Sequence, residues 1–185
     1  MRCGYRVANG RSGLSFVTVF DMANTKAIGE ISEAMILAEF LKAGIPVLMP
    51  FGDNQRYDMV VEAGGQFLSV QCKTARYRMH RDRSGAVLCF NAYSGVWGVG
   101  DHDVSRRQSY RGEVDLFAVY SPDTQQVYVL AVDKVPETEV WLRLEPARNH
   151  QKARIRWAEE HTLAAWAAGL SDARRTDGLA RDRAR

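Results

Sequence analysis

The spacing of apolar residues changes from helical to alternating as the chain proceeds. From Thr25 to Ala43 apolar positions recur at steps of three and four before Gly44 and Pro46 close the run, which predicts a helix followed by a strand over Val47 to Pro50. Glu33 shares a face of this helix with Leu37, Phe40 and Leu41, so packing that face on a sheet would carry a carboxylate toward the sheet as well. From Tyr57 to Thr74 the chain reads YDMVVEAGGQFLSVQCKT. Two runs rich in Val, Met, Phe and Leu flank Gly64 and Gly65, the composition of a tight antiparallel hairpin, because glycine takes the positive φ such turns demand. Alternation along the second strand sends Gln71 and Lys73 to one side and Val70 and Cys72 to the other. Ala86 to Asn91, Val114 to Tyr120 and Gln126 to Val132 read as further strands, the last two joined by a turn at Ser121 to Thr124. Leu14 to Phe20 and Glu139 to Leu144 read as short strands, Tyr93 to Arg111 as a Gly-rich polar loop, and Trp157 to Ala168 as an Ala- and Trp-rich helix.

Composition narrows the class. A chain of 185 residues with 46% hydrophobic residues buries one sizeable core. The formal charge of +3 is mild, so a nucleic-acid surface has to come from local clustering. Three cysteines, odd in number and without a C-x-x-C pair, suggest neither a disulfide framework nor a zinc site and point to a reducing compartment. With no secretory pattern at the N-terminus and no apolar run of about 18 residues, a soluble cytoplasmic protein with no membrane contact is expected. Residues 1–24 read as an N-terminal extension, 25–156 as the principal domain, and 157–185 as a helix followed by a disordered tail, since Ser171 to Arg185 holds almost no large apolar residue.

Asp58 and Lys73 fall on neighbouring strands of the 57–74 hairpin. Burying a lysine and an amide beside an aspartate costs several kcal/mol unless they are paired or bind an ion, which suggests a site. An aspartate on one strand and x-K on the next is one construction of a metal-dependent phosphodiesterase, in which oxygen donors hold Mg²⁺ and the ammonium offsets charge on phosphate. A surface hairpin with an incidental Asp and Lys is the other reading. Glu33 likewise has two: a carboxylate delivered to the sheet, or a first-turn residue favouring the helix dipole, a role Glu30 fits better. Asp53 sits among turn residues and ranks below Asp58, and Asp101, His102 and Asp103 are adjacent loop residues that rarely converge on one ion. After Lys73 come Arg76, Arg78, Arg81 and Arg83, interleaved with Tyr77 and His80. That strip suits a phosphate backbone or else is a solvated loop. Arg106, Arg107 and Arg111 form a second basic cluster, and Lys152, Arg154 and Arg156 a third.

The succession GEISEAMILAEFLKAGIPVLMPFGDNQRYDMVV, VQCKTAR and YRGEVDLFAVY, within Gly29 to Arg156, resembles the PD-(D/E)XK nuclease superfamily. The branch it is most similar to ends in Q-x-K and includes a cyanobacterial group I intron homing endonuclease and relatives of archaeal Holliday junction resolvases. The resemblance implies an α/β restriction-endonuclease-like core, a mixed sheet flanked by helices with the catalytic hairpin at 57–74. It implies that Glu33 is the helix carboxylate, Asp58 the metal-binding aspartate, Gln71 the residue at the D/E position and Lys73 the lysine. The main-chain carbonyl of Cys72 is implied as a further metal ligand. Two positions depart from the superfamily pattern: Tyr57 replaces a proline, and Gln71 replaces an acid, which leaves an uncharged ligand and weaker metal affinity. The implied activity is Mg²⁺-dependent DNA endonuclease chemistry, with Mn²⁺ as a substitute, through a metal-activated water, of homing or restriction type. A structure-selective junction resolvase and a catalytically silent DNA-binding module are the alternatives. The implied partners are double-stranded DNA and further copies of the chain, as dimer or tetramer.

Overall fold

A computed structural model describes residues 25–52, 54–79, 85–96, 106–146 and 155–170. Residues 1–24 and 171–185, and with them the strand expected at Leu14 to Phe20, lie outside the described residues. Helix α1 (Thr25–Lys42) ends where its periodicity does. Gly44, at φ +70°, lets its own N–H reach the Leu41 carbonyl and the Ile45 N–H reach that of Phe40, both at 3.0 Å, a Schellman closure that only a left-handed residue permits. The buried stripe is Ser32, Ile36 and Phe40. Leu41, expected on that face, is 56% exposed, because the helix meets the sheet along the i, i+4, i+8 row and not along 33, 37 and 41. Burial of Ile36 and Phe40 contributes about 2 kcal/mol each.

The strands are β1 (Val47–Leu48), β2 (Met59–Ala63), β3 (Gln66–Thr74), β4 (Arg76–Met79), β5 (Ala86–Asn91), β6 (Tyr93–Val96), β7 (Arg106–Ser109), β8 (Leu116–Ser121), β9 (Gln126–Ala131) and β10 (Glu139–Arg143). Gly64 and Gly65 take φ +62° and +79°, so the β2–β3 hairpin closes on a turn with both central residues left-handed, as its composition requires. The principal sheet runs β1-β2-β3-β8-β9; β3 and β8 are parallel and every other pair is antiparallel, which makes the sheet mixed. A second sheet, β10-β5-β4, is antiparallel throughout. The stretch expected to be a polar loop instead contains a two-stranded ribbon, β6 with β7. Its polarity hid it, since a ribbon outside the core need not carry an apolar face.

Side chains of β8 show how the layers close. Leu116, Ala118 and Tyr120 pack with Ile36 and Phe40 of α1 and with Leu163 and Trp166 of a helix over 163–170, α2. Phe117 and Val119, one residue out of phase, pack with Leu88 and Phe90 of β5 and Val140 and Leu142 of β10. Both helices therefore cover one face, and the second sheet covers the opposite one. This is the mixed α/β, restriction-endonuclease-like architecture, with the flanking layer on the far face built from strands. Among the described residues no helix is long and apolar enough to cross a membrane.

Candidate active site

Strand β3 outlasts its partner. Asp58 N–H donates to the Val70 carbonyl at 2.9 Å, the last rung between the hairpin strands, so even-numbered residues of β3 turn their peptide groups toward β2 and odd-numbered ones toward β8. Beyond that rung no strand lies beside β3 on the β2 side among the described residues, and the N–H and C=O of Cys72 face an open edge. The Asp58 carboxylate fills it. Its Oδ2 accepts the Cys72 N–H at 2.6 Å and the Gln71 Nε2 at 2.5 Å. Gln71 Nε2 also lies 3.4 Å from the Cys72 carbonyl oxygen, which leaves the Gln71 Oε1 for another partner.

Two faces of the sheet contribute. Gln71 is in register with Phe117 and Lys73 with Val119, so both lie on the face covered by the second sheet. Glu33 comes from α1 on the helical face. Ser32, 2% exposed, bonds through its hydroxyl to that of Thr74 at 2.6 Å. A polar residue in the buried stripe of α1 thereby fixes the helix against the end of β3 and sets the position of Glu33 beside it.

The electrostatics show charge without full compensation. Burial pushes the Asp58 carboxyl up, against the opposing pull of the Cys72 N–H bond and the Lys73 ammonium. Glu33 is raised first by burial, then by the charges of Asp58 and Glu30. Two carboxylates that repel each other in a half-buried setting are a place for a cation. The Cys72 thiol is driven far above its ordinary range by burial and by the same two carboxylates, so it stays protonated. The carbonyl oxygen of Cys72 lies at the open edge, 3.4 Å from the Gln71 Nε2.

Among the described residues there is no group of three His, Cys, Asp or Glu side chains able to hold a metal. The oxygens at hand are the Asp58 and Glu33 carboxylates, the Gln71 amide carbonyl and the Cys72 carbonyl. An all-oxygen set with two charges fits a hard divalent ion that keeps part of its water shell.

Lys73 Nζ donates to the Tyr110 hydroxyl at 3.1 Å and lies 4.4 Å from the centre of its ring. Arg56 also covers that ring. Neither Arg56 nor Tyr110 stood out in the sequence: one lies in the polar stretch before Asp58 and the other 37 residues beyond Lys73.

The basic residues divide. Arg76 and Arg78 are exposed on β4, which replaces the solvated-loop alternative for these two, with Arg78 reaching Glu139 at 3.5 Å. Arg107 lies over the Tyr93 ring on the ribbon. Arg111 donates to the Val135 carbonyl and pairs with Glu137, and Arg156 donates to the Lys134 carbonyl. Both brace the segment after β9. His80, Arg81, Arg83, Asp53, Asp101, His102, Asp103, Lys152 and Arg154 lie outside the described residues, as does the side chain of Arg106.

Comparison with known proteins finds nucleases by both sequence family and structure. A family model described as PD-(D/E)XK endonuclease matches residues 23–164. A bacterial homing endonuclease, I-Ssp6803I, superposes with a TM-score of 0.60 at 25% sequence identity, over 81% of this chain and 95% of its own. No curated protein matches.

Proposed function

The chain belongs to the PD-(D/E)XK endonuclease family, and from that premise we propose that it is a magnesium-dependent endonuclease of double-stranded DNA, of homing or restriction type. The observation that carries this reading is the open edge of β3, where Asp58 joins the Cys72 main chain and the Gln71 amide within the electrostatic reach of Glu33 and Lys73. Asp58, the Gln71 and Cys72 carbonyl oxygens and Glu33 would hold Mg²⁺, with Mn²⁺ as a substitute. The bound ion supplies a water of lowered pKa and neutralises charge on the scissile phosphate. Lys73 orients the attacking water and offsets the charge that develops on the phosphoryl oxygens. Glu33 binds or orients a water or the ion from the helical side.

Arg76, Arg78 and Arg107, exposed on β4 and β7, suit contacts to the phosphate backbone. Arg81, Arg106, Lys152 and Arg154 are proposed as further DNA contacts on their sequence clustering alone, whereas Arg111 is held by the Val135 carbonyl and Glu137. The overlap with nearly the whole of a homing endonuclease supports duplex DNA as the substrate. One site per chain cuts one strand, so a dimer or tetramer is the working form. The nuclease domain spans 25–156, α2 packs on its helical side, and free thiols at Cys72 and Cys89 fit the cytoplasm.

The test is cleavage of linear, supercoiled and four-way-junction DNA with Mg²⁺, with Mn²⁺ and with chelator. Metal-dependent linearisation of plasmid is expected. Preferential cutting of junctions would replace the homing or restriction reading with a resolvase, and DNA binding without cleavage in either metal would leave a silent binding module.

A further inference from the structure

Lysine holds its charge on four rotatable bonds, and an unrestrained ammonium samples many positions in water. In this protein the Lys73 ammonium has a fixed partner. Tyr110 is 5% exposed, and its ring meets Phe117 edge-on with centres 5.6 Å apart and planes at 89°. Its carbonyl accepts the N–H groups of Glu113 and Val114 at 3.1 Å, so backbone and ring are both immobilised by the core. The hydroxyl is the acceptor for Lys73 Nζ at 3.1 Å.

Arg56 adds a second restraint. Its Cζ lies 4.2 Å from the Tyr110 ring centre, while Nε donates to Glu113 at 2.5 Å, Nη1 to Ser94 Oγ at 2.8 Å and Nη2 to the Ser109 carbonyl at 2.9 Å. Each guanidinium nitrogen is engaged inside the protein. Arg56 is therefore a clamp on the β6–β7 ribbon and the tyrosine that follows it.

We propose that Tyr110, braced by Arg56, is the positioning residue for Lys73. The hydroxyl takes one of the three ammonium hydrogens and the ring face attracts the cation, which leaves two donors directed at the edge where Asp58 and Gln71 meet. This rests on the reading of Lys73 as the lysine of the nuclease site. A catalytic group displaced by about 1 Å can lose about 10²-fold in rate, so the restraint matters to turnover even though Tyr110 touches no substrate.

Tyr110→Phe keeps the ring and its packing and removes only the acceptor. In single-turnover cleavage of a saturating DNA substrate with Mg²⁺, the rate constant is expected to fall about 10- to 100-fold. The melting temperature, the DNA Kd and the Mg²⁺ concentration for half-maximal rate should stay at the parent's values. Arg56→Lys, which keeps the charge but loses the fork, should give a smaller loss of the same kind and carries the test if Tyr110→Phe does not fold. In a Lys73→Arg background, where no ammonium remains to be held, Tyr110→Phe should cost less than about 3-fold. A parental rate for Tyr110→Phe beside an inactive Lys73→Ala overturns the inference and leaves the site intact. Normal cleavage by Lys73→Ala overturns the site reading and the inference with it. A rate loss matched by weaker DNA binding and lower melting, or equal in both backgrounds, makes Tyr110 structural and also overturns it.

Discussion

Asp115 and Asp58 stand in equivalent backbone positions on opposite edges of β3. Asp115 precedes β8 by one residue, and its Oδ2 accepts the Ser69 N–H at 2.8 Å and the Ser69 hydroxyl at 2.6 Å. Asp58 precedes β2 by one residue, and its Oδ2 accepts the Cys72 N–H and the Gln71 amide. Each carboxylate supplies the rung that a neighbouring strand has not yet begun to provide. The surroundings differ. Asp115 is exposed and bonded to a neutral serine, so water shares its charge. Asp58 is half-buried, repelled by Glu33 and attracted by Lys73, and its carboxyl is pushed up. The same hydrogen-bonding device thus serves as a strand cap on one edge and lies at the proposed metal site on the other. Desolvated charge separates the two, because it creates a demand for a cation that a satisfied surface carboxylate does not have.

Truncating the two sides in parallel separates them most sharply. Asp58→Ala and Lys73→Ala are expected to lower Mg²⁺-dependent cleavage by about 10³-fold or more while fold and DNA binding persist. Gel cleavage assays with melting curves check this, and parental cutting by either variant removes the site assignment. Asp115→Ala should do the opposite, leaving cleavage per folded molecule within about 2-fold and costing about 1 kcal/mol of stability, or about 3 °C in melting temperature. Loss of cutting without loss of stability in that variant would erase the distinction between the edges.

Linkage sharpens it further. A native carboxyl raised above its unfolded value binds protons more readily folded than unfolded, so metal-free stability falls as pH rises from the ordinary carboxylate range through the raised values of Asp58 and Glu33. Asp58→Asn removes that charge while keeping an acceptor, and should raise the metal-free melting temperature at neutral pH and flatten its pH dependence. A lower melting temperature at neutral pH would mean that the carboxylate is stabilising after all. The smallest effect is expected far from both aspartates: Arg76→Ala with Arg78→Ala should weaken binding to all DNA sequences alike and flatten the salt dependence of log affinity by about 0.9 per true phosphate contact. An unchanged slope would remove β4 from the DNA surface.

The pattern of residues was enough for the elements whose instructions are local. The Gly64–Gly65 turn sets the hairpin by backbone sterics, the i, i+2 alternation sets Gln71 and Lys73 on one face, and Gly44 stops α1. Those rules also bring Asp58, one residue before β2, to the edge of β3 beside Gln71 and Cys72, since a two-residue turn leaves little freedom in register. Tertiary packing decided the rest. The helix row that meets the sheet became Ser32, Ile36 and Phe40 because the fit to Val70, Ala118 and Tyr120, and the bond to Thr74, outweigh a periodicity compatible with two neighbouring rows. The parallel pairing of β3 with β8, the ribbon in a polar stretch, and the grip of Tyr110 and Arg56 on Lys73 join residues tens of positions apart. Contacts at such separation leave no period in the chain, and only the folded sheet, with β3 running past the end of β2, brings the open edge and its ammonium together.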